Sequence, residues 1–118
     1  MDLTFTASEE AFAAEVRSWL AEHVEHPGPF SSVDDEVDWG RSWQATLAAA
    51  RMVAISWPHS VGGRDASPVE VALYNMEYAR SGAPQPINRV GISHVGPTLL
   101  SQGTVQQQQR WMPAILDA

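Results

Sequence analysis

The sequence has no cysteine and no lysine, and each absence narrows the range of functions. Without cysteine the chain can form no disulfide, no thiolate metal site and no cysteine nucleophile. Its positive charge comes from seven arginines, which fourteen acidic residues outnumber, so the net charge is -7. A charge of this sign repels nucleic acid and anionic membrane surfaces. Neither is therefore expected as a partner.

Long apolar runs are also missing. No stretch approaches the roughly 20 apolar residues of a membrane span, and residues 1–10 lack the basic and apolar regions of a signal peptide. These features predict no membrane span and a cytoplasmic location. The hydrophobic content is nevertheless 44%, with five tryptophans in 118 residues. Such a composition is typical of one small globular domain.

Three capping-box patterns predict where helices begin, because a Ser or Thr is followed three residues later by Glu or Gln. They are Thr6 with Glu9, Ser67 with Glu70, and Thr104 with Gln107. The first helix is expected from Ala7 to about Val24. The acidic residues 30–38 are expected to form a solvated connection and the first turn of a second helix, which has one apolar face. That face consists of Trp39, Trp43, Leu47 and Ala50.

The middle of the chain predicts a connector and a third helix. Residues 52–57 are apolar and precede Pro58, which favours a buried connector with extended geometry at Trp57. The helix that begins after Ser67 carries apolar residues on nearly every side and should end at Gly82. This pattern indicates a central helix in contact with several neighbours.

An unusual helix is predicted from Val90 to Gly103, with Gly103 as the left-handed residue that closes it. It contains Gly91, Gly96 and Pro97. Glycine weakens a helix by roughly 1 kcal/mol and an interior proline by about 3 kcal/mol. Something other than helix propensity must therefore favour these residues. A second helix should start at once from Thr104, so two helices meet at a sharp corner.

Residue patterns that could carry chemistry have simpler structural explanations. His23 and His26 could share a helical face, but no third metal ligand is evident. Residues 91–96 resemble a nucleophile elbow, yet the last glycine is one position too far along. The polar residues on and beside the third helix are explained by salt bridges or capping. These are Asp65, Glu70, Glu77 and Arg80. No catalytic or metal-binding residue is predicted.

Five motifs, taken in order, resemble the N-terminal helical domain of flavin-dependent acyl-CoA dehydrogenases. They are Ser-Trp-Pro at 56–58, Val-Gly-Gly-Arg at 61–64, Ser-Pro-Val-Glu at 67–70, Gly-Pro-Thr-Leu-Leu at 96–100, and residues 103–113 with Gly103, Thr104, Gln107 to Arg110 and Pro113. The resemblance extends to the last residue. It implies an all-α fold over residues 1–118, an orthogonal helical bundle of about five helices.

The resemblance also implies a flavoenzyme of lipid or fatty acid metabolism, an oxidoreductase acting on CH-CH donors. In the family a glutamate of a C-terminal helical bundle removes the α-proton of an acyl-CoA, and hydride passes to FAD, much of which a middle β-domain holds. Neither the β-domain nor the bundle is expected in this chain. No catalytic residue can therefore be assigned, the cofactor-binding residues are unknown, and the chain alone should not bind FAD tightly. A homo-oligomer or a partner flavoprotein subunit is expected.

In the family the Gly-containing helix lines the acyl-chain cavity. Helical spacing then places Ile87, Val90, Gly91 and His94 on one face, which is the predicted substrate-binding face. His94 suggests a polar or bulky acyl group. The alternative is that Gly91 and Gly96 let a neighbouring helix come close. A second functional hypothesis is a non-catalytic helical interaction subunit that docks on a separate flavoprotein chain.

Overall fold

The computed structural model describes residues 3–118, which form five α-helices and no β-strand. The helices are α1 (Ala7–His23), α2 (Val33–Ala49), α3 (Pro68–Ser81), α4 (Gly96–Gln102) and α5 (Val105–Asp117). A 3-10 turn (His59–Val61) and a π-helical turn (Gly91–Val95) complete the regular structure. The prediction of an all-α fold with about five helices is confirmed. Over the described residues, no helix is long and apolar enough to cross a membrane.

The chain divides into two compact units, and the first contains α1 and α3. It runs up to Pro27 and includes Ala66–Pro84. Helix α1 starts with the predicted capping box, since the Thr6 hydroxyl accepts from the Glu9 backbone N–H at 3.2 Å. Phe12, Val16 and Leu20 are buried at helical spacing on the face that packs against α3. The helix ends at His23, one residue before the predicted Val24.

Helix α3 begins and ends as predicted but is not a central helix. Its Ser67–Glu70 capping box is formed, and Gly82 closes it with a left-handed φ of 70°. It buries one face, including Leu73, and leaves Val69 and Met76 39% and 44% exposed. The prediction of several neighbours was wrong, because single apolar side chains on the outer face of a helix are common and do not require contacts.

The second unit consists of Gly28–Asp65 and Gln85–Ala118. Helix α2 begins within the acidic segment, as expected, and Ser32 caps it by accepting from the Asp35 backbone N–H at 3.1 Å. The acidic residues 34–36 therefore lie in the first turn, where the helix dipole favours negative charge. After α2, the connector residues 52–55 and Trp57 are buried without forming a strand. The buried connector is thus confirmed.

The corner between α4 and α5 is built around an extended glycine. Gly103 has φ -76° and ψ 153°, so the prediction of a left-handed residue was wrong. Its backbone N–H donates to the Leu99 carbonyl at 2.8 Å, and a Cβ at this position would lie 2.6 Å from that oxygen. Close approach to Leu99, not a positive φ, requires glycine here. The predicted cap of α5 by Thr104 is confirmed, with 3.1 Å between its hydroxyl and the Gln107 N–H.

Candidate functional site

The candidate site is the π-helical turn Gly91–Val95, which leads into α4. Its defining hydrogen bond runs from the Gly96 backbone N–H to the Gly91 carbonyl, five residues back. Pro97 follows directly and has no N–H to give to the carbonyl four residues before it. A wide turn at this point avoids the clash that a proline ring makes in a regular helix. Single π turns inside helices are frequent at functional sites.

The four residues of the predicted substrate-binding face all lie at or beside this turn. Ile87, Val90 and His94 are exposed, and Val90 is the most open of the apolar ones at 67%. Gly91, by contrast, is buried. Ile87 also lies over α2, since a Cβ on Gly40 would come within 3.0 Å of its Cδ1. The structure thus brings three predicted side chains to the surface of one short segment.

Packing inside the chain accounts for both glycines of this segment. A Cβ on Gly91 would lie 2.3 Å from the Asn88 side-chain amide. One on Gly96 would lie 2.1 Å from the indole of Trp57, which is 4% exposed. Each glycine therefore permits a close internal contact, with a side chain rather than with a neighbouring helix. The acyl-facing assignment of the exposed residues stays a prediction.

A buried amide on α2 connects this segment to α5. Gln44 is 0% exposed, and its Nε2 donates to the carbonyls of Ile115 at 2.9 Å and Leu116 at 2.8 Å. Its Oε1 accepts from the backbone N–H of Asn88 at 2.8 Å. Both ends of the side chain are thus satisfied, as burial of an amide requires.

Asn88 continues the connection into the π turn. Its Oδ1 accepts from the Gly91 backbone N–H at 3.2 Å, and its Nδ2 donates to the Ile115 carbonyl at 3.1 Å. Sequence reasoning missed Gln44 and Asn88. A signal existed for Gln44, because it lies three residues before Leu47 and next to Trp43, within the buried arc of α2. No local pattern marks Asn88.

The first unit contains a separate polar cluster around Glu77. This carboxylate is 5% exposed and pairs with Arg17 at 2.8 Å and with Arg80 at 3.2 Å. The hydrogen bonds from Arg17 are the main reason that the pKa of Glu77 lies below its ordinary value, although burial acts in the opposite direction. A groove of about 360 Å³ lies beside the cluster. The salt-bridge explanation of Glu77 and Arg80 is confirmed, and Arg17 is an addition.

The described residues contain neither a cluster of metal ligands nor a buried side-chain polar atom without a partner. Residues 3–118 hold no group of three or more His, Cys, Asp or Glu side chains positioned for a metal ion. In the same range every buried side-chain nitrogen and oxygen already has a hydrogen-bond partner. None of these buried side-chain atoms is therefore left unpaired for a flavin to bind.

Comparison with known proteins identifies related sequences. The family model described as Acyl-CoA dehydrogenase, N-terminal domain, matches residues 6–118. Acyl-CoA dehydrogenase IpdE1 of Mycobacterium tuberculosis is 37% identical over 117 residues, which cover 92% of this chain and 30% of that protein. Acyl-CoA dehydrogenase FadE26 of the same organism is 30% identical over 120 residues, which cover 98% of this chain and 30% of that protein. The chain spans about 30% of the length of these curated relatives.

Solved structures agree with the sequence comparison. The crystal structure of the ChsE4-ChsE5 complex from Mycobacterium tuberculosis matches with a TM-score of 0.75 and 28% identity, over 99% of this chain and 29% of that one. The Tcur3481-Tcur3483 steroid ACAD matches with a TM-score of 0.72 and 26% identity, over 99% of this chain and 30% of that one. With residues 6–118 matched by the family model, the chain belongs to the acyl-CoA dehydrogenase family and corresponds to its N-terminal domain.

Proposed function

We propose that this chain acts as the N-terminal helical domain of an FAD-dependent enzyme that oxidises an acyl-CoA thioester between its α and β carbons. The observation that carries the proposal is the match of residues 6–118 to that domain of the family. The two carboxylates of α3 have other tasks, since Glu70 caps the helix and Glu77 is ion-paired. The base and the flavin cradle then belong to a β-domain and a C-terminal bundle, and this domain is not catalytic alone.

In this proposal the chain contributes one wall of the acyl pocket. The wall consists of the exposed side chains Ile87, Val90 and His94, with Gly91 as the buried base of the turn behind them. Two apolar side chains exclude water from a hydrocarbon group, and the imidazole offers one polar contact. A face of this kind suits a bulky acyl group that carries a polar substituent.

The substrate class that we propose is a bulky, ring-bearing acyl-CoA. His94 on an otherwise apolar face supports this choice, because a plain straight chain has no partner for an imidazole. A second support is that one structural neighbour is named a steroid ACAD. Acyl-CoA thioesters of graded bulk, from a short straight chain to a polycyclic side chain, would rank the preference directly.

The proposed partner is a second acyl-CoA dehydrogenase subunit. The names of two structural neighbours each contain two proteins, the ChsE4-ChsE5 complex and the Tcur3481-Tcur3483 ACAD. The same observation favours the second candidate function, a non-catalytic helical subunit that docks on a separate flavoprotein chain. Co-purification of the tagged chain from its source tests the second candidate, because recovery with no partner, together with a monodisperse monomer in solution, would exclude a docking subunit. The predicted cytoplasmic location would be checked by cell fractionation.

The acyl wall can be tested with two valines of equal exposure. Val90 is 67% and Val105 is 68% exposed, and both belong to the second unit. In the complete enzyme, Val90→Trp should raise KM for the acyl-CoA by about tenfold, because a bulky ring then occupies pocket space. Val105→Trp, the control on α5, should leave KM within about twofold. Dye reduction under acyl-CoA titration measures both.

Two results would count against the proposal. Equal KM values for the wild type and Val90→Trp would show that this face is not part of the acyl pocket. If the complete, flavin-loaded enzyme reduced the dye with no acyl-CoA of the series, the proposed dehydrogenase activity would be contradicted.

A further inference from the structure

We infer that Gln44 and Asn88 are positioning residues for the acyl pocket, because together they fix the π turn Gly91–Val95 from which the predicted wall projects. The inference rests on the proposed function, since it assumes that this turn faces substrate. Neither residue is part of the exposed face, and Gln44 is fully buried. Both therefore act through the backbone rather than by touching a ligand.

The anchor of this arrangement is the end of α5. The last carbonyls of a helix have no donor within the helix. The carbonyls of Ile115 and Leu116 lie in this last turn, and Gln44 donates to both, at 2.9 Å and 2.8 Å. Full burial makes these bonds costly to lose, because water does not replace them. Gln44 is therefore held in one orientation by α5.

From this anchor the connection reaches the turn in two steps. Gln44 Oε1 accepts from the Asn88 backbone N–H at 2.8 Å, and Asn88 Oδ1 accepts from the Gly91 N–H at 3.2 Å. Asn88 Nδ2 also donates to the Ile115 carbonyl, which Gln44 already uses. Because both side chains share one carbonyl, displacement of either should displace the other.

The turn that receives these bonds determines the direction in which the side chains after it point around the helix axis. A π turn carries one more residue between hydrogen-bonded groups than an α turn, and one residue of an α-helix corresponds to a rotation of about 100°. Asn88 Oδ1 holds the N–H of Gly91, the first residue of the π turn. If this bond were lost, the turn could relax toward α geometry, and His94 would then point in another direction.

The experiment uses the complete, flavin-loaded enzyme with Gln44→Met, Asn88→Ala and the double variant. Gln44→Met keeps an unbranched side chain of similar length but has no N–H donor and only a weakly accepting sulfur in place of the amide oxygen. Leu47→Ala, one turn further along α2 and 0% exposed, is the control that weakens packing without touching the amides. For each variant one measures kcat, KM for the acyl-CoA, the melting temperature, and hydrogen exchange of the backbone amides at residues 89–96.

We expect Gln44→Met and Asn88→Ala each to raise KM about tenfold with kcat changed less, and to speed exchange at residues 89–96. The double variant should raise KM little beyond either single variant, because both changes release the same turn. Leu47→Ala should lower the melting temperature and leave KM within about twofold.

Two outcomes would overturn the inference. In the first, KM in both amide variants stays within about twofold of the wild-type value. The same conclusion follows if their KM rises no more than that of Leu47→Ala when the loss of melting temperature is equal. In the second, exchange at residues 89–96 is unchanged. A wild-type enzyme that does not oxidise acyl-CoA would instead overturn the proposed function and the pocket role with it, while exchange still decides whether the amides hold the turn.

Discussion

At the scale of single residues, the buried carboxylate of Glu77 depends on its arginine partners to remain ionised. It is 5% exposed, and Arg17 and Arg80 both pair with it. The Arg17 hydrogen bonds lower the pKa of Glu77 below its ordinary value of 4.5 in spite of burial. A pKa that is lower in the folded state than in the unfolded state means that the ion pairs stabilise the fold above that ordinary value. This contribution is lost as the pH falls through the folded pKa.

We therefore predict that Glu77→Gln lowers the melting temperature at pH 7, and that the difference from the wild type shrinks as the pH is lowered below about 4.5. Thermal unfolding followed by circular dichroism between pH 3 and 7 measures the effect. Glu22→Gln, an exposed carboxylate on α1, is the control and should show little difference at any pH. A difference for Glu77→Gln that does not change with pH would contradict the assigned pairing.

Gly96 is the second residue whose contacts predict a measurable effect. An added Cβ would lie 2.1 Å from the buried Trp57 ring, so Gly96→Ala must displace that ring. Overpacking of this kind costs about 1–3 kcal/mol, against a gain of roughly 1 kcal/mol in helix propensity. We expect a net loss of stability in chemical denaturation. Gly28→Ala, with no atom within 4 Å of the added Cβ, should change stability by less than about 0.5 kcal/mol. Equal stability of the two variants would contradict the close contact between Gly96 and Trp57.

At the scale of helices and turns, the starts of elements could be predicted because caps are local. Thr6, Ser67 and Thr104 each meet a Glu or Gln three residues on, and all three caps are formed. The first turn of α2 lies within the acidic segment, as expected, but its Ser32 cap was not predicted, since no Glu or Gln follows three residues later. Motifs that close their own hydrogen bonds within four residues need no tertiary information.

The π turn and the buried amides could not be predicted in the same way. The turn depends on Trp57 against Gly96 and on Asn88 beneath Gly91, contacts that a helical pattern does not contain. Gln44 bonds to residues 71 and 72 positions away, and a glutamine in a helix ordinarily indicates a solvated side chain. Helical spacing predicts that Ile87, Val90, Gly91 and His94 share one face, but it does not show that Gly91 is buried while the other three are exposed.

Helix α5 offers a test of how much a local cap contributes. The Thr104 hydroxyl accepts from the Gln107 N–H, so Thr104→Ala should destabilise the chain by about 1 kcal/mol. Thr98 is the matched control, because its hydroxyl donates to the His94 carbonyl within an exposed turn and caps nothing. Thr98→Ala should cost less than about 0.5 kcal/mol. Urea denaturation of both variants compares the values, and an equal loss in the two would show that the cap is not specific.

At the scale of the whole molecule, several large apolar side chains are open to solvent. Val90, Val105 and Trp111 are 67%, 68% and 48% exposed, and the Arg110 guanidinium lies 4.6 Å from the Trp111 ring centre. All three belong to the unit that contains the candidate site. Single exposed apolar residues are ordinary on folded proteins, and only a contiguous patch of them marks a surface that other protein covers.

The last prediction concerns FAD and the 118-residue chain by itself. Cofactor sites combine an apolar pocket with a few placed polar groups, and the buried side-chain nitrogens and oxygens of residues 3–118 are all engaged within the chain. After incubation with excess FAD and desalting, we expect the chain to retain far less than one equivalent, as measured from the flavin absorbance band. The complete enzyme, treated in parallel, is the control and should keep its flavin. Retention near one equivalent by the chain alone would mean that this domain holds FAD without the rest of the enzyme, and the division of roles between the domains would have to be redrawn.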